Sequence, residues 1–227
     1  MTRVQHNLGG IQGLGPVWNE PRVFVEPWEE RIFGVHVAMM GLGIWTWTEL
    51  RMKAEGMSPI GYFTNRYYEK WLGGIEAFLV EEGYLDTDEI EARTAEILAS
   101  GDAGPPAAGS PTATTEIVDY LWRGDSPKRD VPATPAFAVG DKVRPVPYEP
   151  WVHTRLPGML QGKVGTVEIV YDGAYHLPEL EPDGAVKGPS PVYLVRFDPV
   201  DLWGALAEPG HAAFYADVWE HYLEAAS

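Results

Sequence analysis

Between residues 101 and 136 the chain changes its period, and no other feature constrains the fold as much. Ahead of that stretch apolar residues recur at three- and four-residue steps, and after it they alternate around glycines. Trp28, Ile32, Val35, Met39 and Leu42 share one helical face until Gly41 and Gly43 break it. Thr46-x-x-Glu49 has the form of a capping box and opens a short helix through about Gly56. Ser58-Pro59 supplies a cap and a first-turn proline for a helix that Gly83 closes. Inside it Tyr67, Trp71, Ile75 and Phe78 share a face, with Leu79 beside them. Asp86 and Glu89 start a further helix, with Ile90, Ile97 and Leu98 inward and Gly101 as its stop.

The intervening GDAGPPAAGSPTAT (101–114) has no period and reads as a linker; one or two amphipathic turns, Glu116 to Arg123, and a second loop (124–135) follow. From Phe137 the pattern is that of strands. Phe137–Val143, Gly162–Val167, Val192–Phe197, Phe214–Trp219 and Tyr222-Leu223 form about five short segments, evenly spaced as in a small antiparallel barrel of SH3-like size. The expected architecture is α+β: an extended, glycine-rich arm (1–26), a helical domain (27–100), a linker with a short helix (101–136) and an SH3-like β-barrel domain (137–227). The arm's Gly9, Gly10, Gly13 and Gly15 do not match a dinucleotide fingerprint, and no strand precedes them; the arm is expected to drape over a partner or the parent domain.

Charge and cysteine usage narrow the function. With 17 Lys+Arg against 33 Asp+Glu, the net charge of -16 argues against nucleic-acid or anionic-membrane binding, both of which need a basic footprint. The absence of cysteine excludes disulfides, cysteine metal ligands and thiol nucleophiles within this chain. The N-terminus lacks the apolar core of a signal peptide, and the longest apolar run, Ile32 to Thr48, is short of a membrane span, so the expected location is cytoplasmic.

No self-contained active site is visible. H-E-x-x-H, G-x-S-x-G and P-loop patterns are missing, and His6, His36, His153, His176, His211 and His221 stand singly, without metal-ligand spacing. Asp198/Asp201 and Glu81/Glu82 read as solvated faces of an acidic protein. Three stretches rise above this background: Trp45 to Arg51, a cation among indoles; Arg66 to Leu72, an aromatic face at helical spacing; and His153 to Pro157, followed by Gly162-Lys163-Val164-Gly165. Arg51 and Arg155 alone could be surface ion pairs or stems packed on aromatics, and Tyr67 and Trp71 could be plain helix core.

In order and spacing, these stretches and their neighbours resemble the β subunit of the nitrile hydratase family. The resemblance runs through His6-x-x-Gly9-Gly10-x-x-Gly13-x-Gly15, Trp28-Glu29, Glu49-Leu50-Arg51, Tyr67-Tyr68-Glu69-Lys70-Trp71 and Leu79-Val80-Glu81-x-Gly83. It continues in Phe137-x-Val139-Gly140-Asp141, His153-Thr154-Arg155-Leu156-Pro157, Tyr193-x-Val195-x-Phe197, Leu202-Trp203-Gly204 and Val218-Trp219-Glu220-x-Tyr222-Leu223-Glu224. Asn7, Met52 and Val152 stand where that family usually has Asp, His and Gly.

The resemblance implies a lyase that hydrates nitriles to amides and acts only with an α subunit, expected as an α2β2 heterotetramer. The α subunit would carry Co(III) or Fe(III) on three cysteine sulfurs, two of them oxidised, and two backbone amides; this chain alone would bind no metal. Arg51 and Arg155 match the arginines that bind those oxidised cysteines, a task suited to a planar, permanently charged fork. Tyr67 and Trp71 match substrate-pocket positions, and Trp47 and Leu50 join them by proximity to Arg51. Two other readings stay open: a subunit of a thiocyanate hydrolase-like complex, and a non-enzymatic accessory or chaperone protein.

Overall fold

The computed structural model describes residues 21–104, 108–147, 153–179, 181, 186–210 and 212–226. Most of the expected arm, with His6 and Asn7, lies outside the described residues, as do Val152 and His211. The described residues form two units, one within 17–125 and the other within 126–227.

In the first unit, side-chain caps set the helix boundaries. α1 (Pro27–Gly41) starts where the Glu29 carboxylate accepts the backbone N–H groups of Val25 (2.5 Å) and Glu26 (3.3 Å). Its buried residues are Glu29, His36, Val37 and Met39, whereas Val35 is 42% and Leu42 66% exposed. The expected face is therefore corrected: the helix is turned so that His36 and Val37, not Val35, point inward. α2 (Trp47–Glu55) carries the expected capping box, Thr46 N–H donating to Glu49 Oε2 at 2.7 Å and Thr48 N–H to Thr46 Oγ1 at 3.1 Å, and Gly56 caps its end.

The single helix expected from Ser58 to Gly83 is two. α3 (Pro59–Thr64), capped by Ser58 Oγ (3.1 Å from Gly61 N), stops at Asn65, whose backbone is extended. α4 (Tyr67–Glu81) restarts because Glu69 Oε2 accepts the Arg66 N–H at 2.6 Å, closing a second box that begins with an arginine instead of Ser or Thr. α5 (Thr87–Ser100) runs from its Asp86 cap to Gly101 at φ 69°, the left-handed stop that glycine allows. None of its residues is buried, and Leu98, expected inward, is 79% exposed. α6 (Pro111–Arg123) is longer than the turn or two expected, because Ser110-Pro111 caps it inside the supposed linker. Tyr68, Trp71, Ile75 and Phe78 of α4 pack with Met39, Trp45 and Leu50. Gly74 lets α2 and α4 approach: a Cβ there would lie 3.2 Å from the Ala54 nitrogen.

The second unit comprises β1 (Lys128–Arg129), β2 (Lys142–Pro145), β3 (Gly165–Val170), β4 (Ala174–Tyr175), β5 (Val192–Phe197), α7 (Pro199–Trp203), β6 (Phe214–Trp219) and β7 (Leu223–Ala225). β1 and β4 form a two-stranded ribbon that alternation did not reveal, since two-residue strands carry no period. The others make one antiparallel sheet, ordered β6-β5-β3-β2-β7. Among the described residues no ladder joins β6 to β7, so the observed element is an antiparallel sheet rather than a closed barrel. The first large strand begins at Lys142 instead of Phe137, because Ala138 to Asp141 is a turn closed by Ala138 N–H to Asp141 Oδ2 (2.8 Å), with Gly140 at φ 95°. Tyr222, expected to open a strand with Leu223, instead ends a 3-10 turn (Glu220–Tyr222) that leads into β7.

Tyr193, Val195 and Phe197 of β5 pack with Val143, Val167, Val218 and Tyr222 in the core of this unit. Gly165 sits directly beneath them. A Cβ there would overlap Val195 Cγ1 and lie 2.9 Å from Phe197 Cε1 and 3.1 Å from the Arg196 carbonyl. Gly165→Ala is therefore expected to destabilise this unit by about 1–3 kcal/mol through overpacking. The measurement is the chemical-denaturation midpoint, and an unchanged midpoint would show that the sheet opens at no cost. Among the described residues no helix is long and apolar enough to cross a membrane.

Candidate functional site

The Thr46 box fixes the start of α2, and helical spacing then sends Trp47, Leu50 and Arg51 toward α4. There they meet Tyr67 and Trp71 around a cleft of about 240 Å³. Five of the six expected site residues thus line one cavity. Trp71 (7% exposed) and Leu50 (3%) are buried, while Tyr67, at 64%, stands at the rim instead of in the core face expected for it. Trp47 and Trp71 cross edge-on with centroids 5.9 Å apart, and Tyr67 lies 5.3 Å from Trp71.

Arg51 brings a permanent cation to this aromatic wall. Its Cζ lies 5.6 Å from the Trp47 ring centroid, and its Nη1 donates to the Trp47 carbonyl at 3.3 Å. Ala54, Glu55, Tyr62 and Lys70 complete the lining. Ala54 and Glu55 follow Arg51 by three and four residues, so helical spacing could have included them. Tyr62, under the Lys70 ammonium at 4.6 Å, could not be placed without the break between α3 and α4. Its phenol ionises above the ordinary range, chiefly through burial and secondarily through Glu55.

Behind the wall stands a histidine that the sequence marks with no motif. His36 has no solvent exposure, and among the described residues neither ring nitrogen has a hydrogen-bond partner. Trp45, Trp47 and Trp71 surround it, with ring centroids at 5.4, 4.3 and 4.7 Å. Burial first, and the Arg51 charge second, push its pKa down to about 4, so the imidazole is neutral at physiological pH.

The sixth expected residue, Arg155, belongs to the other unit. His153, Thr154 and Leu156 on either side of it are buried, but Arg155 is exposed. Its backbone N–H donates to Glu179 Oε1 (3.1 Å) and to the Tyr222 hydroxyl (3.2 Å). Among the described residues its guanidinium makes no ion pair or hydrogen bond. The carboxylate pairs behave as solvated or structural groups: Asp198 caps α7 and Glu81 pairs with Lys53. Among the described residues no cluster of three His, Asp, Glu or Cys is disposed to hold a metal ion.

An aromatic cleft with a cation at its edge can seat an apolar molecule beside an anion, but it presents no aligned nucleophile and base. Comparison with known proteins supplies the rest. The family profile for "Nitrile hydratase beta subunit, N-terminal" matches residues 1–118, and that for "Nitrile hydratase beta subunit, C-terminal" matches 126–225. The beta subunit of the low-molecular weight cobalt-containing nitrile hydratase of Rhodococcus rhodochrous is 35% identical over 222 residues, covering 96% of this chain and 97% of that one. The beta subunit of the cobalt-containing nitrile hydratase of Pseudonocardia thermophila is 33% identical over 96% of this chain and 94% of that one. The nitrile hydratase beta subunit of Pseudomonas putida is 32% identical over 97% and 98%. Among solved structures, the recombinant apo-enzyme of thiocyanate hydrolase from Thiobacillus thioparus is 24% identical, with 43% of this chain and 82% of that chain covered and a TM-score of 0.38.

Proposed function

The chain belongs to the nitrile hydratase beta-subunit family, and from that premise we propose that Arg51 and Arg155 hold the oxidised cysteine ligands of a metal carried by the α subunit. It is a subunit of an enzyme that hydrates nitriles to amides in complex with that partner. The site reading is carried by one observation: Trp47, Leu50, Arg51, Tyr67 and Trp71 line a single cleft. Their chemistry fits a partner's anionic metal centre. This chain has no cysteine to ligate the metal, yet it brings arginine, the side chain that binds paired oxyanions through two parallel hydrogen bonds.

When bound, the metal supplies Lewis acidity toward the nitrile. This chain's own residues do the rest of the positioning. Arg51 and Arg155 offset the charge of the oxidised cysteines, which would be costly to bury alone. Trp47, Leu50, Tyr67 and Trp71 receive the nitrile's side chain and keep water from it. The relatives named cobalt-containing support a Co(III) centre, with Fe(III) the other possibility for the partner to decide. We read the assembly as α2β2 and cytoplasmic, and the domains as arm 1–26, helices 27–100, a linker with a short helix 101–136 and barrel 137–227. The order β6-β5-β3-β2-β7, with a 3-10 turn leading into β7, supports an SH3-like barrel for the last of these.

Co-expression tests the assignment. The chain purified alone is expected to hold no metal and to turn nothing over. The complex with the α subunit is expected to hold metal, to show oxidised partner cysteines by mass, and to convert nitriles but not thiocyanate. An active, metal-replete chain without a partner would overturn it.

A further inference from the structure

Arg155 is an exposed residue whose main chain is held from inside the core. We propose that Glu179 and Tyr222 are positioning residues for Arg155: a buried carboxylate–phenol latch that grips its backbone N–H and so aims its guanidinium. The inference rests on the reading that Arg155 meets the partner's oxidised cysteines.

Glu179 and Tyr222 are 1% and 0% exposed. The Tyr222 hydroxyl donates to Glu179 Oε1, and the Arg155 N–H reaches both oxygens, at 3.1 and 3.2 Å, so three groups close one ring of hydrogen bonds. Thr154 extends it on the other side: its hydroxyl donates to the Tyr222 oxygen at 3.4 Å and accepts the Leu156 N–H at 3.0 Å. Glu179 is itself fixed at the main chain, its carbonyl accepting the Lys187 N–H at 2.8 Å and its N–H donating to the Leu177 carbonyl at 2.8 Å. Burial, and then the adjacent Glu179 carboxylate, drive the Tyr222 phenol far above its ordinary range, so it remains a donor at every working pH. A buried acceptor with charge forms stronger, better aligned bonds than water would offer an exposed loop. The residues before and after Arg155 are both buried, so the loop cannot shift by a residue without exposing Thr154 or Leu156. The latch therefore leaves the guanidinium as the loop's outward-facing part.

The test uses the assembled αβ enzyme and the variants Tyr222→Phe, Glu179→Gln and Arg155→Lys. Tyr222→Phe is expected to speed hydrogen exchange in the peptide holding the Arg155 amide, a local opening that needs no turnover. It should also lower kcat by about tenfold with KM nearly unchanged, and shift the metal–sulfur absorption in the direction that Arg155→Lys shifts it. Adding Tyr222→Phe to Arg155→Lys should cost little more than Arg155→Lys alone, because both act through one group. Should Tyr222→Phe fail to assemble, Glu179→Gln carries the test: it keeps the shape but removes the charge, with about a threefold loss of kcat and the same absorption shift expected. Normal kcat and absorption in an assembled Tyr222→Phe or Glu179→Gln enzyme would overturn the latch and leave the role of Arg155 intact. Normal kcat in Arg155→Lys would instead overturn the site reading, and the latch with it.

Discussion

Arg51→Lys, in an otherwise intact αβ complex, is expected to lose on the order of 10²–10³-fold in kcat, the range found when one donor is removed from a charge-stabilising site. The substitution keeps the charge and removes the fork, so a large loss would show that geometry is what matters. Lysine can still lie over the Trp47 ring, 5.6 Å from the present Cζ, and a cation–π contact is within its reach. What it cannot do is donate two parallel hydrogen bonds to paired oxygens while also bonding the Trp47 carbonyl, as Arg51 does at 3.3 Å. Substrate affinity should change less than kcat, since the walls of Trp47, Leu50, Tyr67 and Trp71 stay in place. Steady-state kinetics on a nitrile, with metal content measured on the same sample, decides the matter. Turnover within a few-fold of the parent enzyme, at equal metal content, would remove Arg51 from the site.

His36→Phe should have the largest effect on stability, and its effect depends on pH. The folded-state pKa of His36 is down at about 4 against 6.5 for the free side chain. The folded form thus resists the proton that the unfolded form takes up. Stability from this residue is fully present above pH 6.5 and drains away as the pH falls toward 4, a change of about 3 kcal/mol over the window. Phenylalanine has no proton to refuse, and its ring keeps the edge-on contacts with Trp45, Trp47 and Trp71. It also removes two buried nitrogens without hydrogen-bond partners, worth about 1–3 kcal/mol at neutral pH. Thermal melting of the αβ complex from pH 7 down to 4.5 is the measurement. The parent's Tm should fall more steeply than the variant's. Parallel curves would mean that His36 is not the group that limits acid stability.

The contrast between these two residues shows what a sequence makes legible. Arg51 sits five residues past a Thr46 cap that local chemistry sets, so its neighbours at three- and four-residue steps follow from the helix alone. The break at Asn65 was not readable in the same way. Ser58-Pro59 and Gly83 looked like two ends of one helix, and the Arg66–Glu69 box that restarts it begins with an atypical capping residue. Leu98 and Val35 fall on apolar stripes yet are exposed, because periodicity marks a stripe without saying whether anything covers it. In the other unit the strands of residues 192–197 and 214–219 are legible to their ends, since each is a short run rich in β-branched and aromatic residues. The Glu179–Tyr222 pair had no local signal: the two residues are 43 positions apart and meet only once the sheet is built.

Holding a loop by its main chain has a consequence for which residues that loop can tolerate. The latch grips an N–H that every amino acid but proline possesses, so the identity of residue 155 is almost unconstrained by folding. A full set of replacements at this position should give chains that fold alike, proline excepted, while assembly with the α subunit weakens where the cation is lost and turnover falls for all but arginine. Few positions separate those two demands so cleanly. At 155 folding constrains the main chain and the chemistry constrains the side chain, so turnover lost there need not be fold lost.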